Sequence, residues 1–384
     1  MNKKKEKLFL HIGLPKTGTT SIQGALKENE GRLASYGLAY PKTFQASHMR
    51  HFHAYASYPQ QRPRTQAALG EEIADQERFV RSFKQQVARA VSSSTALRMV
   101  YSNELLGNLH TRGIGRLQEL FSEFFDAVEV VLYLRRQDTL ELSAYLQAFK
   151  GGYEHREKFA EPFVTRRQSN RQVIERWASA FGMESIRVRI YERQRFPEGD
   201  VVRDFLQYLG ISDSSDFEVP RAEKNSTYGL RQIAAARLLN PHFNRTSKVK
   251  TNAQRLHDPD VRDFILSLKS KRKYAPAREA AMRFYASHQQ DNEWVRSRFF
   301  PDQLTLFDED FSGYPEKGTP EQLSKAQLEK LIVELFRYHR RRSHKMGATK
   351  LSPRPSEGDQ NRKKGGLASP VRRLARAWRA RRGL

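Results

Sequence analysis

The chain of 384 residues contains no cysteine. This absence excludes disulfides, thiolate metal sites and cysteine nucleophiles. The sequence also has no apolar run near the ~20 residues that a membrane helix needs, and its first residues show no signal-like apolar stretch. We therefore expect a cytoplasmic protein without a membrane span.

Acidic residues are few relative to basic ones: 43 Asp and Glu stand against 68 Lys and Arg, which gives a formal net charge of +25. Residues 337–384 hold 16 basic and 2 acidic residues, so more than half of the excess lies in the tail. The remaining positive charge suits an anionic cofactor and an anionic acceptor. No known nucleic-acid fingerprint accompanies these charges, so we expect no nucleic-acid partner.

A short apolar run near the amino terminus, residues 8–12, leads into a glycine-bounded loop and then a helical pattern. The loop reads Gly13-Leu14-Pro15-Lys16-Thr17-Gly18-Thr19-Thr20. Unsatisfied N–H groups at a helix N-terminus carry the positive end of the dipole, so this pattern predicts a cradle for a phosphate-like anion. The loop differs from a Walker A motif, in which lysine directly follows the second glycine. Here Thr19 has that place, and Lys16 lies inside the loop.

A second apolar run, residues 128–134, is rich in β-branched residues and predicts a buried strand. It is followed by Arg135-Arg136-Gln137-Asp138 and by a helical pattern that includes Ser143. A guanidinium group suits a phosphate dianion through paired charge-assisted hydrogen bonds, and a serine hydroxyl can add another. Two solvated arginines at a strand end are the alternative, but the loop of residues 13–20, here called the anion loop, favours a binding site.

Together, the two motifs resemble the cofactor-binding segments of bacterial carbohydrate-type sulfotransferases that use 3′-phosphoadenosine-5′-phosphosulfate (PAPS). The resemblance extends over about residues 7–315. It implies an α/β fold of P-loop-like, three-layer αβα architecture, with a central and mainly parallel sheet and accessory helices. It also implies that residues 15–20 bind the 5′-phosphosulfate and that Arg135 and Ser143 hold the 3′-phosphate.

The resemblance implies a complete set of cofactor-binding residues. They are Pro15, Lys16, Thr17, Gly18, Thr19, Thr20, Arg135, Ser143 and Asn225. Lys16 would also be catalytic, because its ammonium can stabilise the leaving group. Asn225 lies in a polar loop before a helical pattern, where capping that helix is the alternative to contacting the nucleotide.

The predicted reaction moves a sulfuryl group from PAPS to a hydroxyl or amine of a carbohydrate acceptor, a poly- or oligosaccharide, and releases PAP. No metal is expected, because a sulfuryl group carries less charge than a phosphoryl group. A P-loop phosphotransferase is the alternative enzyme, but it needs a Walker B aspartate for Mg²⁺, whereas strand 128–134 ends in two arginines. A non-catalytic protein that binds polyanions or membrane surfaces is a further alternative.

The acceptor must lose a proton during the transfer, and we expect a side chain near the cofactor loop to take it. Glu104 is the first candidate, because it follows a predicted strand at the sheet edge where α/β proteins bind their ligands. A helix-dipole partner is the equal alternative for Glu104. His48 is the second candidate, in a segment that also contains His51 and His53. A solvated polar loop is the alternative for these histidines.

Along the chain, apolar runs alternate with helical patterns in the order typical of βαβ units. The expected strands are 37–41, 97–102, 128–134 and 186–191, and the expected helices are 70–91, 113–125, 138–150, 170–181 and 199–209. Residues 42–69, rich in His, Tyr, Gln and Pro, are expected to be irregular.

Beyond a sulfotransferase domain of residues 1–315, we expect a C-terminal helix over 316–345, capped by Thr319, and a disordered linker with a basic amphipathic tail over 346–384. The apolar residues on one face of the tail are Val371, Leu374, Ala375 and Trp378. Such a tail fits peripheral binding to an anionic membrane at its inner face. A solvated tail, or one that binds an acidic glycan or nucleic acid, is the alternative.

Overall fold

The computed structural model describes residues 4–45, 49–57, 76–150, 169–219, 228–243, 259–270, 272–319 and 324–348. Five strands lie in these ranges: β1 (Lys5–His11), β2 (Leu38–Ala39), β3 (Arg98–Ser102), β4 (Phe125–Leu134) and β5 (Ile186–Ile190). The helices before β5 are α1 (Thr19–Glu28), α2 (Glu30–Ser35), α3 (Met49–Ser57), α4 (Gln76–Ser92), α5 (Thr111–Ser122), α6 (Gln137–Lys150) and α7 (Asn170–Phe181). The helices after β5 are α8 (Val201–Tyr208), α9 (Leu230–Phe243), α10 (Pro259–Ser267), α11 (Arg278–Ala286), α12 (Gln289–Phe299) and α13 (Lys325–Ala348).

The five strands form one parallel sheet in the order β2-β3-β1-β4-β5. In the carboxyl-terminal parts of β1 and β4, consecutive residues such as Leu8 and Phe9 or Leu132 and Tyr133 are buried. Because neighbouring side chains of a strand point to opposite faces, helices must cover both faces of the sheet. This arrangement confirms the predicted α/β class with a parallel central sheet between two helical layers.

Most predicted elements occur within a few residues of their expected bounds, and helix α7 coincides with residues 170–181. The prediction of an irregular segment over residues 42–69 is wrong where the structure describes it, because residues 49–57 form α3. In α3, Phe52 and Tyr55 are buried and their rings contact Phe83 of α4. This aromatic packing stabilises the helix. In the sequence, the neighbouring histidines and glutamines make its short apolar stripe difficult to recognise.

A second hydrophobic cluster joins α6, α9, α10 and α13 beside the sheet. Helix α13 begins at Lys325, where Ser324 and Gln327 exchange side-chain and backbone hydrogen bonds. Thr319 does not cap this helix, because its hydroxyl and its N–H both donate to the carbonyl of Ala275. The division of the chain at residues 315 and 345 stays a prediction, and the tail beyond residue 348 lies outside the described residues.

None of the helices in the described ranges is both long and apolar enough to cross a membrane.

His11, the last residue of β1, is fully buried beneath the loop that follows it. Its Nδ1 lies 2.8 Å from the hydroxyl of Ser102 on β3, and its ring contacts Tyr133 and Phe205. Burial lowers the pKa of His11 from 6.5 to about 3. The imidazole is therefore neutral at physiological pH and acts as a packing group with one polar contact.

We predict that His11 makes the folded protein lose stability as the pH falls below about 6.5. The unfolded chain binds a proton at His11 below that pH, whereas the folded chain does not until about pH 3. Between pH 7 and pH 5 the free energy of unfolding should fall by about 2 kcal/mol more in the wild type than in His11→Gln. Urea unfolding of both proteins at the two pH values measures this difference. Parallel pH dependence would contradict the assignment.

Candidate functional site

The loop between β1 and α1 presents an uncapped helix N-terminus. Gly18 is the N-cap residue of α1, no side chain in the described part of the chain caps it, and no acidic residue lies in its first turn. The first N–H groups of α1 are therefore available to a ligand, and the helix dipole favours an anion there. The loop is closed by the hydroxyl of Thr17, which donates to the carbonyl of Leu14 at 2.7 Å.

Two residues of this loop have a left-handed backbone. Gly18 has a φ of 80°, and Lys16, which is half-buried, has a φ of 66°. A positive φ is uncommon for a residue with a side chain and is found where the surrounding structure imposes it, often at functional sites. The fold thus holds the backbone of Lys16 in a fixed and strained conformation beside the N-terminus of α1.

Close packing fixes the two glycines of the loop. A Cβ atom on Gly13 would lie 2.4 Å from Oγ1 of Thr19, and one on Gly18 would lie 2.6 Å from Cγ1 of Val201 on α8. Thr19 is buried, and its Oγ1 has no hydrogen-bond partner among the described residues. A buried hydroxyl without an acceptor fits a site where a bound anion supplies one. Pro15 and Thr20 are exposed at the surface of the loop.

Arg135 follows β4 and reaches the same loop. Its Nη1 donates to the carbonyl of Lys16 at 2.9 Å, its Nε donates to the hydroxyl of Thr139 at 3.1 Å, and its guanidinium lies 5.5 Å from the centre of the Tyr191 ring. Burial lowers the pKa of Arg135, although the nearby Tyr191, Tyr314 and Asp138 partly oppose this shift. Within the described part of the chain Arg135 makes no ion pair. A partly buried cation without a carboxylate partner is suited to bind an anionic ligand.

The neighbouring Arg136 has a structural role instead. Its guanidinium is paired with Asp138 at 2.8 Å and donates to the carbonyls of Asp308 and Asp310. The hydroxyl of Tyr314 also donates to the buried carboxylate of Asp138. Asp138 is therefore engaged by two side chains. Of the two arginines, only Arg135 is oriented toward the loop.

Ser143 lies on α6 four residues after Thr139, and side chains with this spacing share one face of a helix. Since Thr139 contacts Arg135, the half-buried Ser143 lies one turn further along the same face. The sequence had not singled out Thr139 or the contact between Tyr191 and Arg135. Of the other predicted site residues, His48 and Asn225 lie outside the described residues.

The connection after β3 reaches the anion loop through Asn103. The Asn103 N–H donates to the carbonyl of His11 at 3.0 Å, and its carbonyl accepts from the N–H of Gly13 at 3.3 Å. Its side chain is buried and bonds to Tyr101 and to the N–H of Leu105. Glu104 is exposed in the adjacent turn. Asn103 was missed in the sequence, where its only signal is its position directly after a strand.

Comparison with known proteins gives remote likenesses. No protein-family model matches the chain. An uncharacterized protein of Archaeoglobus fulgidus is 26% identical over 244 residues, which cover 62% of this chain and 63% of the relative. The chain thus spans less than two thirds of the length of that curated relative. A sulfotransferase from Alicyclobacillus acidocaldarius, known from its crystal structure, is 15% identical with a TM-score of 0.39, and the match covers 78% of this chain and 96% of that one.

We predict that Gly18→Ala destabilises the protein more than Gly37→Ala does. Both glycines have a positive φ, 80° and 67°, so alanine costs about 1–2 kcal/mol at either site. At Gly37 no other heavy atom lies within 4 Å of the new Cβ, whereas at Gly18 the Cβ meets Val201. Urea unfolding measures both losses. Equal losses would show that packing against α8 does not fix the loop.

Proposed function

We propose that this chain is a PAPS-dependent sulfotransferase that transfers a sulfuryl group to a hydroxyl or amine of a carbohydrate. The main observation in support of the proposal is that three features suited to bind anions lie close together at one end of the sheet. These are the uncapped N-terminus of α1, the loop residue Lys16, and Arg135 hydrogen-bonded to the Lys16 carbonyl. This arrangement supports a ligand with anionic groups at two positions.

PAPS supplies an activated sulfuryl group, and its transfer leaves PAP. In the proposed site, the N–H groups of α1 and the hydroxyl of Thr19 bind the 5′-phosphosulfate. Arg135, with Ser143 further along α6, holds the 3′-phosphate through charge-assisted hydrogen bonds. Lys16 neutralises the charge that develops on the leaving oxygen, which stabilises the transition state more than the ground state. Glu104 accepts the proton of the attacking hydroxyl or amine.

The alternative of a Mg²⁺-dependent phosphotransferase finds less support at this site. Such an enzyme needs a carboxylate at the end of a strand beside the phosphate loop. The two strands that flank β1 are followed by Asn103 and by Arg135. Asp138, the next carboxylate after β4, is engaged by Arg136 and Tyr314. Glu104, in the turn that follows β3, is exposed.

Calorimetric titration separates these candidates. The proposal expects PAP to bind in the absence of Mg²⁺ and more tightly than ATP. An ATP preference that requires Mg²⁺ would favour a phosphotransferase, and binding of neither nucleotide would favour a non-catalytic polyanion-binding protein. A gain in the mass of a polysaccharide after incubation with enzyme and PAPS would then identify the acceptor. Binding of the basic tail to an anionic membrane stays a separate proposal.

We predict that Lys16→Ala reduces turnover far more than it weakens the binding of PAP. Loss of a placed transition-state donor typically costs about 10²–10³ in rate. Arg135→Ala and Ser143→Ala should chiefly weaken PAP instead, because they remove ground-state contacts. Single-turnover kinetics and PAP titration measure the two effects. Lys27→Ala removes the same charge from the far end of α1 and serves as the control. Near wild-type turnover in Lys16→Ala would refute the loop assignment.

We also predict that Glu104→Gln lowers sulfuryl transfer by about 10²-fold while PAP affinity is retained. Glutamine keeps the shape of the side chain and removes its basicity. Glu104 is exposed, so the variant should fold like the wild type. Glu119→Gln, at an exposed position of α5, is the matched control. If transfer is unchanged in Glu104→Gln, the proton acceptor is His48 or another residue.

A further inference from the structure

An open cleft of about 510 Å³ lies between the start of α5 and one face of α7. Its lining residues are Thr111, Gln172, Glu175, Arg176 and Ser179. The four residues on α7 have the spacing of a single helical face, and the opposite side of that helix is buried in the core through Val173, Ile174 and Trp177. Every lining side chain can donate or accept hydrogen bonds, which suits a polyhydroxylated ligand.

Arg176 gives this cleft an uncompensated positive charge. Its Nη2 donates to the carbonyl of Gly107 at 3.2 Å, and its buried Nε has no hydrogen-bond partner among the described residues. The structure shows no ion pair between Arg176 and any residue that it describes. The neighbouring Glu175 does not neutralise it, because that carboxylate accepts from Arg171 at 2.8 Å. Burial also lowers the pKa of Arg176, as expected for a cation that lacks an anionic partner.

One residue, Gly107, contacts both Arg176 of the cleft and the anion loop. Gly107, which accepts the hydrogen bond from Arg176, lies so close to Leu14 of the loop that an added Cβ would be 2.9 Å from the Leu14 Cδ2. Gly107 and Glu104 belong to the same connection, which runs from β3 to Thr111 at the start of α5. A ligand in the cleft would therefore lie beside the segment that carries the candidate base.

We propose that this cleft is the acceptor subsite and that it takes an acidic saccharide. Arg176 pairs with a carboxylate or sulfate of the saccharide, and Gln172 and Glu175 bond to its hydroxyls. The inference rests on the proposed sulfuryl transfer, since that reaction requires an acceptor next to the anion loop. A half-buried guanidinium forms a favourable bidentate pair with either anionic group, and this pairing gives the site its preference for acidic over neutral saccharides.

Calorimetry with three probes tests the inference on the full chain. The probes are a galacturonate tetramer, its neutral methyl ester and a sulfated galactan oligomer. The wild type should bind at least one acidic probe about tenfold or more tightly than the ester, the effect expected for one charge-assisted hydrogen bond. Tighter binding of the galacturonate identifies a carboxylate as the recognised group, and the reverse order identifies a sulfate.

Arg176→Gln should abolish the preference for the acidic probe and leave the binding of the ester unchanged. Arg112→Gln is the matched control, because it removes an exposed positive charge next to Thr111 without lining the cleft. Ser179→Trp fills the cleft at an exposed position and should weaken both the acidic probe and the ester. It tests the inference independently if Arg176→Gln does not fold.

Titration of the same proteins with PAP distinguishes a failure of the acceptor subsite from a failure of the proposed function. One outcome is that PAP binds equally to the wild type and to Arg176→Gln while every saccharide probe also binds the two proteins equally. In that case the assignment of the cleft as the acceptor subsite is wrong, and the proposed function stands. If the wild type fails to bind PAP, the proposed function fails, and the probes still decide whether the cleft binds acidic saccharides. Equal binding of the acidic probe and its ester by the wild type also overturns the inference.

Discussion

The site depends on the parallel pairing of β1 with the strands on both of its sides. Hydrogen bonds at the carboxyl end of β1 join Ile12 to Val131 of β4 at 2.9 Å and Asn103 to His11 at 3.0 Å. Because all three strands end at the same edge of the sheet, the segments that follow them must meet there. The anion loop, the turn with Asn103 and the guanidinium of Arg135 come together for this reason, although more than a hundred residues separate the first from the last.

Among the residues that the structure describes, Arg135 and Arg176 make no ion pair. Arg135 is stabilised by a carbonyl, a hydroxyl and the ring of Tyr191, and Arg176 by a single carbonyl. In contrast, Arg136 and Arg189 are each paired with a buried aspartate, Asp138 and Asp204 respectively. A partly buried charge without a partner costs stability. Natural proteins retain such a cost where function requires it, and this contrast supports the proposed binding roles of Arg135 and Arg176.

The sequence predicted the features that depend on neighbours in the chain. Helix α7 was predicted at its observed bounds, and the strand–loop–helix order around residues 13–20 was predicted because its strand, glycines and helical pattern are consecutive. Features that depend on distant contacts were not predicted. Helix α3 forms because Phe52 packs on Phe83, and Asn103 joins the site only through pairing of β3 with β1. Likewise, no local pattern distinguishes Arg176 from the other arginines of the chain, since the absence of an ion pair with any described residue is a property of the folded structure.

The hydrogen bond between Arg135 and the Lys16 carbonyl has a consequence for specificity. This hydrogen bond links the two proposed anion positions through the backbone of Lys16, which is strained at a φ of 66°. A ligand that binds both positions would hold Arg135 and the loop in place together, and the order gained at one position would lower the cost of ordering the other. A ligand with only one anionic group would gain no such advantage. In the proposed site, a nucleotide with phosphate groups at both its 3′ and 5′ positions would therefore be favoured by the link between the two positions as well as by their charges.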